Sequence, residues 1–244
     1  MYNIVIRLHF LCFVYTFFCL HVSAQDTVKS TLPIIKDPEQ FRMVVSNDSS
    51  QQLIRLDKLA PNIRLDLRYA DKNNFTGKRL YPRGLKITFL RKAPAEALRE
   101  VAIELEKQGF GLKIFDAYRP YSATVEMWDL IRDERYVANP VRGSGHNRGL
   151  SVDLTLYYMR SGKELAMGTG FDNFTEAAHH DNPNLPEKVL INRGILKSVM
   201  EKHGFQALDT EWWHYSWPNN RKYDVLDLSF EEVNRFQPSP PRQH

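Results

Sequence analysis

The chain has 244 residues, 43% of them hydrophobic and 25% charged, and its 33 Lys and Arg against 29 Asp and Glu leave a formal charge of +4. This is the composition of a globular protein with room for one sizeable domain, which excludes an intrinsically disordered chain. The charges are spread without a long run of one sign, which argues against a nucleic-acid-binding arm.

The first 24 residues are of another material. Arg7 is their one Lys, Arg, Asp or Glu, the run from Leu8 to Leu20 is mostly apolar and aromatic, and Val22 and Ala24 supply a small-residue pattern before the polar "QD". This predicts a signal peptide over 1–24 and an exported protein, periplasmic or secreted. The rival reading is an uncleaved anchor, although a membrane span needs about 20 apolar residues. Both cysteines, Cys12 and Cys19, lie in this leader. The mature chain would then have no disulfide, no cysteine nucleophile and no thiolate-held zinc.

Residues 25–52 lack sustained periodicity and read as an N-terminal arm, ahead of a folded domain over 53–235. "NIRLDLRYA" (62–70) alternates strictly and predicts a half-buried strand. "APAEALREVAIELEKQGF" (93–110) has Leu98, Val101, Ala102 and Leu105 at helical spacing. "LKIFDAYR" reads as a strand, and "SATVEMWDLIRDE" as a helix with Ser122 as its N-cap. A strand within "SGHNRGLSVDLTL" (144–156) follows, then a loop over 161–184. "LPEKVLINRGILKSVMEKHGF" predicts a helix with Pro186 early and Gly204 just past its end. "EWWHYSW" is an aromatic last strand, and the proline-rich 236–244 reads as a disordered tail. This mixed order predicts an α+β single domain with a mostly antiparallel central sheet flanked by helices.

In "SGHNRGLSVDLTL", Leu150, Val152, Leu154 and Leu156 point to one face, and Ser151, Asp153 and Thr155 to the other. A buried carboxylate needs a partner. His146, set between Gly145 and Gly149, could turn back to meet Asp153, and His214 of "EWWHYSW" could complete a three-ligand metal site. Glu211 could take a proton from an attacking water and pass it to a leaving amine. Residues three apart on an ideal strand face opposite sides, so Glu211 and His214 share a site only at a strand entrance or across a bulge. Arg119, stopped by Pro120, fits an oxyanion partner. The plainer reading makes His146 a loop histidine, Asp153 an acceptor for N–H groups, His214 one ring among several and Arg119 a surface partner of Asp116 or Glu126. Spacing alone does not separate the two. His179 and His180 read as solvated loop residues, and His203 as a cation favoured by the helix end.

"SGHNRGLSVDLTL", "EWWHY" and "DAYRP", together with "LRYADKNNFTG" and "MGTGFDNF", closely resemble the motifs of VanX-type D-alanyl-D-alanine dipeptidases, zinc peptidases of the D-Ala-D-Ala carboxypeptidase group. The resemblance runs from about Asn62 to Tyr215. It implies one Zn2+ per chain on His146, Asp153 and His214, Glu211 as the catalytic base, and Arg119 as the group that stabilises the transition state. It also implies that Ser144 and Asp172 hold the free amino group of a small D,D-dipeptide, and that Tyr69 lines the pocket. Two other classes stay open: an exported zinc carboxypeptidase or endopeptidase acting on cell-wall peptides, and a non-catalytic zinc-binding sensor of wall fragments. The stretch from Arg119 to His146 looks short beside some relatives, and the leader is not shared by cytoplasmic members. A nucleic-acid partner is not expected.

Overall fold

The computed structural model describes residues 32–236. The predicted leader, its two cysteines and residues 237–244 of the predicted tail lie outside the described residues. The chain starts with a short strand, β1 (Ile34–Ile35), and a helix, α1 (Pro38–Asn47), within the stretch read as an arm. The helix starts where Asp37 accepts from the Glu39 N–H and Pro38 fixes the first turn. It buries Phe41 alone, which is why no apolar stripe announces it.

Three short strands follow, β2 (Leu53–Arg55), β3 (Ile63–Leu65) and β4 (Phe89–Arg91). β3 covers only part of the strand expected over 62–70. The alternation continues, but Arg68–Ala70 wind into a single 3-10 turn that buries Tyr69. Then come α2 (Lys92–Glu106), β5 (Phe110–Asp116) and α3 (Tyr121–Ile131). The N-cap of α3 is Pro120 rather than Ser122, whose N–H lies in the first turn and donates to the Asp227 carboxylate at 2.9 Å. The chain ends with β6 (Ser151–Tyr158), α4 (Glu187–Lys202), β7 (Gln206–Leu208), β8 (Glu211–Ser216), β9 (Val225–Leu226) and α5 (Phe230–Arg235). A capping box of Ser229 and Glu232 opens α5, a helix that the sequence reading passed over.

The central sheet has the order β3-β5-β6-β8-β7. Only β3 and β5 run parallel; the other neighbours are antiparallel, in keeping with the expected α+β class. β2 pairs with β4, and β1 with β9, outside this sheet. Val152, Leu154 and Leu156 of β6 pack in one cluster with Leu98, Val101 and Leu105 of α2 and Leu196, Val199 and Met200 of α4. Each such buried side chain contributes about 1.5–3 kcal/mol. The helices therefore cover one face of the sheet and fix its register, since a slip of one residue would turn every side chain over. The opposite face of β6 carries Ser151, Asp153 and Thr155. Among the described residues, no helix is long and apolar enough to cross a membrane.

Candidate active site

His146 sits on a 3-10 turn, His146–Arg148, flanked by two glycines with different tasks. Gly149 has φ of +69°, a conformation an L side chain resists, and a Cβ on Gly145 would collide with the Ser151 hydroxyl. The turn aims the ring back over the sheet, where its Nδ1–H donates to the Ala117 carbonyl at 2.8 Å and leaves Nε2 facing inward. Asp153 on β6 stands directly opposite His214 on β8. His214 Nδ1 lies 2.8 Å from Asp153 Oδ1 and 3.3 Å from His146 Nε2. Its other nitrogen is 3.0 Å from Ser216 Oγ, which is 2.7 Å from Ser151 Oγ.

One ligand atom from each of His146, Asp153 and His214 lies within 4.8 Å of the other two. Two imidazole nitrogens and a carboxylate oxygen suit a divalent cation, and a three-residue set leaves a position for water or substrate. Each histidine has its outer nitrogen held by a protein oxygen, the arrangement that fixes tautomer and ring angle in metal sites. The residues present therefore fit the group.

Glu211 resolves the spacing difficulty noted in the sequence. The pairing of β7 and β8 slips, with Leu208 opposite Glu211 but Ala207 opposite Tyr215. This irregularity brings the Glu211 carboxylate to 4.0 Å from His214 Nδ1. Burial raises the Glu211 carboxyl to about 7, helped by Asp153 and opposed by His214 and Arg119. A base poised there can both accept and return a proton near neutrality.

Arg119 follows the end of β5 and is 7% exposed, so it is no surface arginine. Its Nε and Nη2 both reach Asp116 Oδ2, at 2.9 and 2.7 Å. Asp116, wholly buried, also accepts from Tyr81 OH at 2.7 Å and from the Ala117 N–H at 2.9 Å. The sequence reading reached Asp116 only as a surface partner. The signal for a deeper role was an acid ending a strand of otherwise buried residues.

Tyr69, Ser144 and Asp172 line the same cleft of about 240 Å³ as the three metal-site residues, Glu211 and Arg119. Tyr69 OH donates to Asp172 at 3.1 Å, and Ser144 Oγ accepts the His146 N–H at 3.0 Å. Asp172 has φ of +58°, which for a non-glycine residue costs about 1 kcal/mol and is held by its surroundings. Desolvation first, and the nearby Asp153 charge second, push its carboxyl well above the usual range. Around the cleft, Asp116, Asp153, Asp172 and Glu211 crowd the guanidinium of Arg119, and Glu134 and Arg135 add one charge of each sign to the lining. That excess of negative charge is what a divalent cation and an incoming ammonium would neutralise.

A family model described as D-ala-D-ala dipeptidase (Peptidase_M15) matches residues 49–234. The chain belongs to this peptidase family. It is 35% identical over 179 residues to the D-alanyl-D-alanine dipeptidase of Escherichia coli (strain K12), covering 73% of this chain and 91% of that protein. Its identity is also 35% to proteins of the same name from Enterococcus faecalis (strain ATCC 700802 / V583), over 66% of this chain and 88% of that protein, and Streptomyces coelicolor (strain ATCC BAA-471 / A3(2) / M145), over 66% and 89%.

In this member of the D-ala-D-ala dipeptidase family the other histidines among the described residues, His179, His180 and His203, do not line the cleft. His203 Nε2 lies 2.8 Å from Glu104. His180 is not the solvated loop residue that was expected. Its N–H donates to the Asp209 carbonyl, its ring packs edge-on against Tyr215, and burial lowers it to about 4. The loop carrying Asp172 depends on a residue the sequence did not single out. Arg193 of α4 donates to the carbonyls of Met167, Ala177 and His179, each at 2.8 Å, gripping the loop on both sides of Asp172.

Proposed function

We propose that this family member hydrolyses the D-alanyl-D-alanine dipeptide to two D-alanines, with one zinc ion held by His146, Asp153 and His214. The observation that carries the reading is the convergence of that triad, Glu211 and Arg119 in one cleft, in a chain matching this family over 49–234. Zinc, when bound, supplies a Lewis acid and brings the pKa of a coordinated water to about 7.

The chain's own residues do the rest. Glu211 takes a proton from the attacking water as its oxygen bonds to the scissile carbonyl carbon, and delivers that proton to the amine nitrogen as the C–N bond breaks. Arg119, immobilised by Asp116, faces the oxygen on which negative charge develops. Asp172 and Ser144 hold the substrate ammonium, with Tyr69 orienting the Asp172 carboxylate. A substrate acylated at its amine brings no charge to Asp172, which accounts for a preference for dipeptides over longer wall peptides. Residues 1–24, read as a signal peptide, would carry the enzyme out of the cytoplasm, to act on free dipeptides or wall fragments.

The test is alanine release from D-Ala-D-Ala, L-Ala-L-Ala and N-acetyl-D-Ala-D-Ala. The reading expects release from the first alone, lost on chelation and restored by zinc. Cleavage of the acetylated substrate at the same rate would favour a wall carboxypeptidase.

A further inference from the structure

A second cavity, of about 330 Å³, lies against the far side of Asp172. It shares only Phe75 and Asp172 with the catalytic cleft. Thr155 is two residues along β6 from Asp153 and on the same face, so one sheet surface runs beneath both cavities.

Two polar groups in this cavity lack protein partners. Thr155 is wholly buried, and its hydroxyl makes no hydrogen bond. Arg68 rests its guanidinium on the Phe115 ring at 4.7 Å and holds Asp66 through Nη2 at 3.2 Å, while its Nε is buried and unpaired. Buried donors of this kind cost free energy that an acceptor from a ligand would recover. Arginine is suited to a carboxylate, which its planar fork can grip. The same cavity holds two carboxylates, Asp172 and Glu164, and apolar walls that include Met167 and Trp212. An arginine with its Nε–H unpaired, a hydroxyl without a partner, Asp172 beside a Glu164 that already holds Lys113, and apolar walls together match one small zwitterion.

We infer that this second cavity binds a free α-amino acid of the kind the cleft would release, and that its occupant competes for Asp172 with the substrate ammonium. The choice of D-alanine as ligand rests on the function proposed above; the site itself does not. Occupancy draws the Asp172 carboxylate away from the cleft, so D-alanine raises KM for the dipeptide by an action outside the catalytic centre. Neither Arg68 nor Thr155 lines that centre.

The experiment titrates the full metal-loaded chain with D-alanine and with D-lactate, which has the carboxylate but no amine, in the parent, Thr155→Val and Arg68→Met. Titrations are repeated on a Glu211→Ala background saturated with dipeptide. The expected result is saturable D-alanine binding that falls at least tenfold in affinity in both variants, is at least tenfold weaker for D-lactate, and with the cleft filled persists but weakens by the same factor by which D-alanine raises KM. In turnover assays both variants keep kcat within about twofold of the parent and lose the rise in KM caused by D-alanine. Binding unchanged in the variants, binding abolished once the cleft is filled, or D-lactate binding as tightly as D-alanine would overturn the inference. Should Thr155→Val fail to fold, Arg68→Met at the partly exposed rim reads the same site. Absence of dipeptide cleavage would count against the proposed reaction and leave the binding titration to judge this cavity.

Discussion

Glu211 is useful because water has been removed around it. Burial brings its carboxyl to about 7, and the slip between β7 and β8 turns it toward the triad. Glu211→Gln keeps the shape and removes the base, so kcat should fall by about 100- to 10,000-fold while the protein's zinc content stays that of the parent. Metal analysis alongside initial rates checks both halves, and a variant as active as the parent contradicts the role. Asp116 acts at one remove. Asp116→Asn leaves the Arg119 charge buried with a weaker partner, and losing a buried partner costs about 3–5 kcal/mol. Chemical denaturation should read that loss, and kcat should fall more than KM changes, because Arg119 is needed where charge develops. At this scale the gathering of His146, Asp153, His214, Glu211 and Arg119 in one cleft was legible through the resemblance of their motifs, since spacing alone left the plainer reading open. Asp116 was not, since an acid next to an arginine in sequence is usually a solvated pair, and only the packing around β5 shows that both are inside.

α4 supplies more than a cover for the sheet. Arg193 reaches out of the helix to three carbonyls of the loop that bears Asp172. Arg193→Lys keeps the charge but not the fork, so at least about 2 kcal/mol of stability should go. KM for the dipeptide should rise more than kcat falls, measured by steady-state kinetics; equal effects on both would argue against a link to the ammonium site. The same loop contains His180, which burial holds at about 4 against an ordinary value of 6.5. Between those values the unfolded chain takes up a proton that the folded chain refuses, so this residue makes stability fall as pH drops from about 6.5 toward 4. His180→Gln should flatten that slope, seen as urea midpoints at pH 7 and 4.5, and an unchanged slope contradicts the assignment. α2 was legible because its buried residues recur at helical spacing, α4 because Pro186 and Gly204 mark its ends, and β6 because apolar and polar residues alternate along it, although both of its faces are buried. α1, α5 and the two- and three-residue strands other than β3 were not, because they bury too few side chains to print a period. The strand expected over 62–70 gives way after Leu65 to a 3-10 turn that buries Tyr69, whose hydroxyl reaches Asp172.

The whole molecule brings together residues far apart in the chain. The proposed ligands Asp153 and His214 come from β6 and β8, neighbours in the sheet but separated by the Asp172 loop and α4. His146, the third proposed ligand, rides on the turn that leads into β6, and Arg119 and Asp116 come from the end of β5. Such a site forms only when the sheet is closed, so a bound ion stabilises the fold. At a free zinc concentration of 100 times its dissociation constant that gain is about 2.7 kcal/mol. For a domain of this size it is a rise in Tm of roughly 5–10 °C, which calorimetry with and without chelator reads and which an unchanged Tm would contradict. The most direct test of the account is the metal content of the purified protein set against its turnover of D-Ala-D-Ala. The account predicts one divalent ion per chain in the parent and in Glu211→Gln, and loss of both ion and turnover in His146→Ala. A parent chain that turns over the dipeptide at full rate after its metal is stripped, or a His146→Ala variant that keeps both, would contradict it.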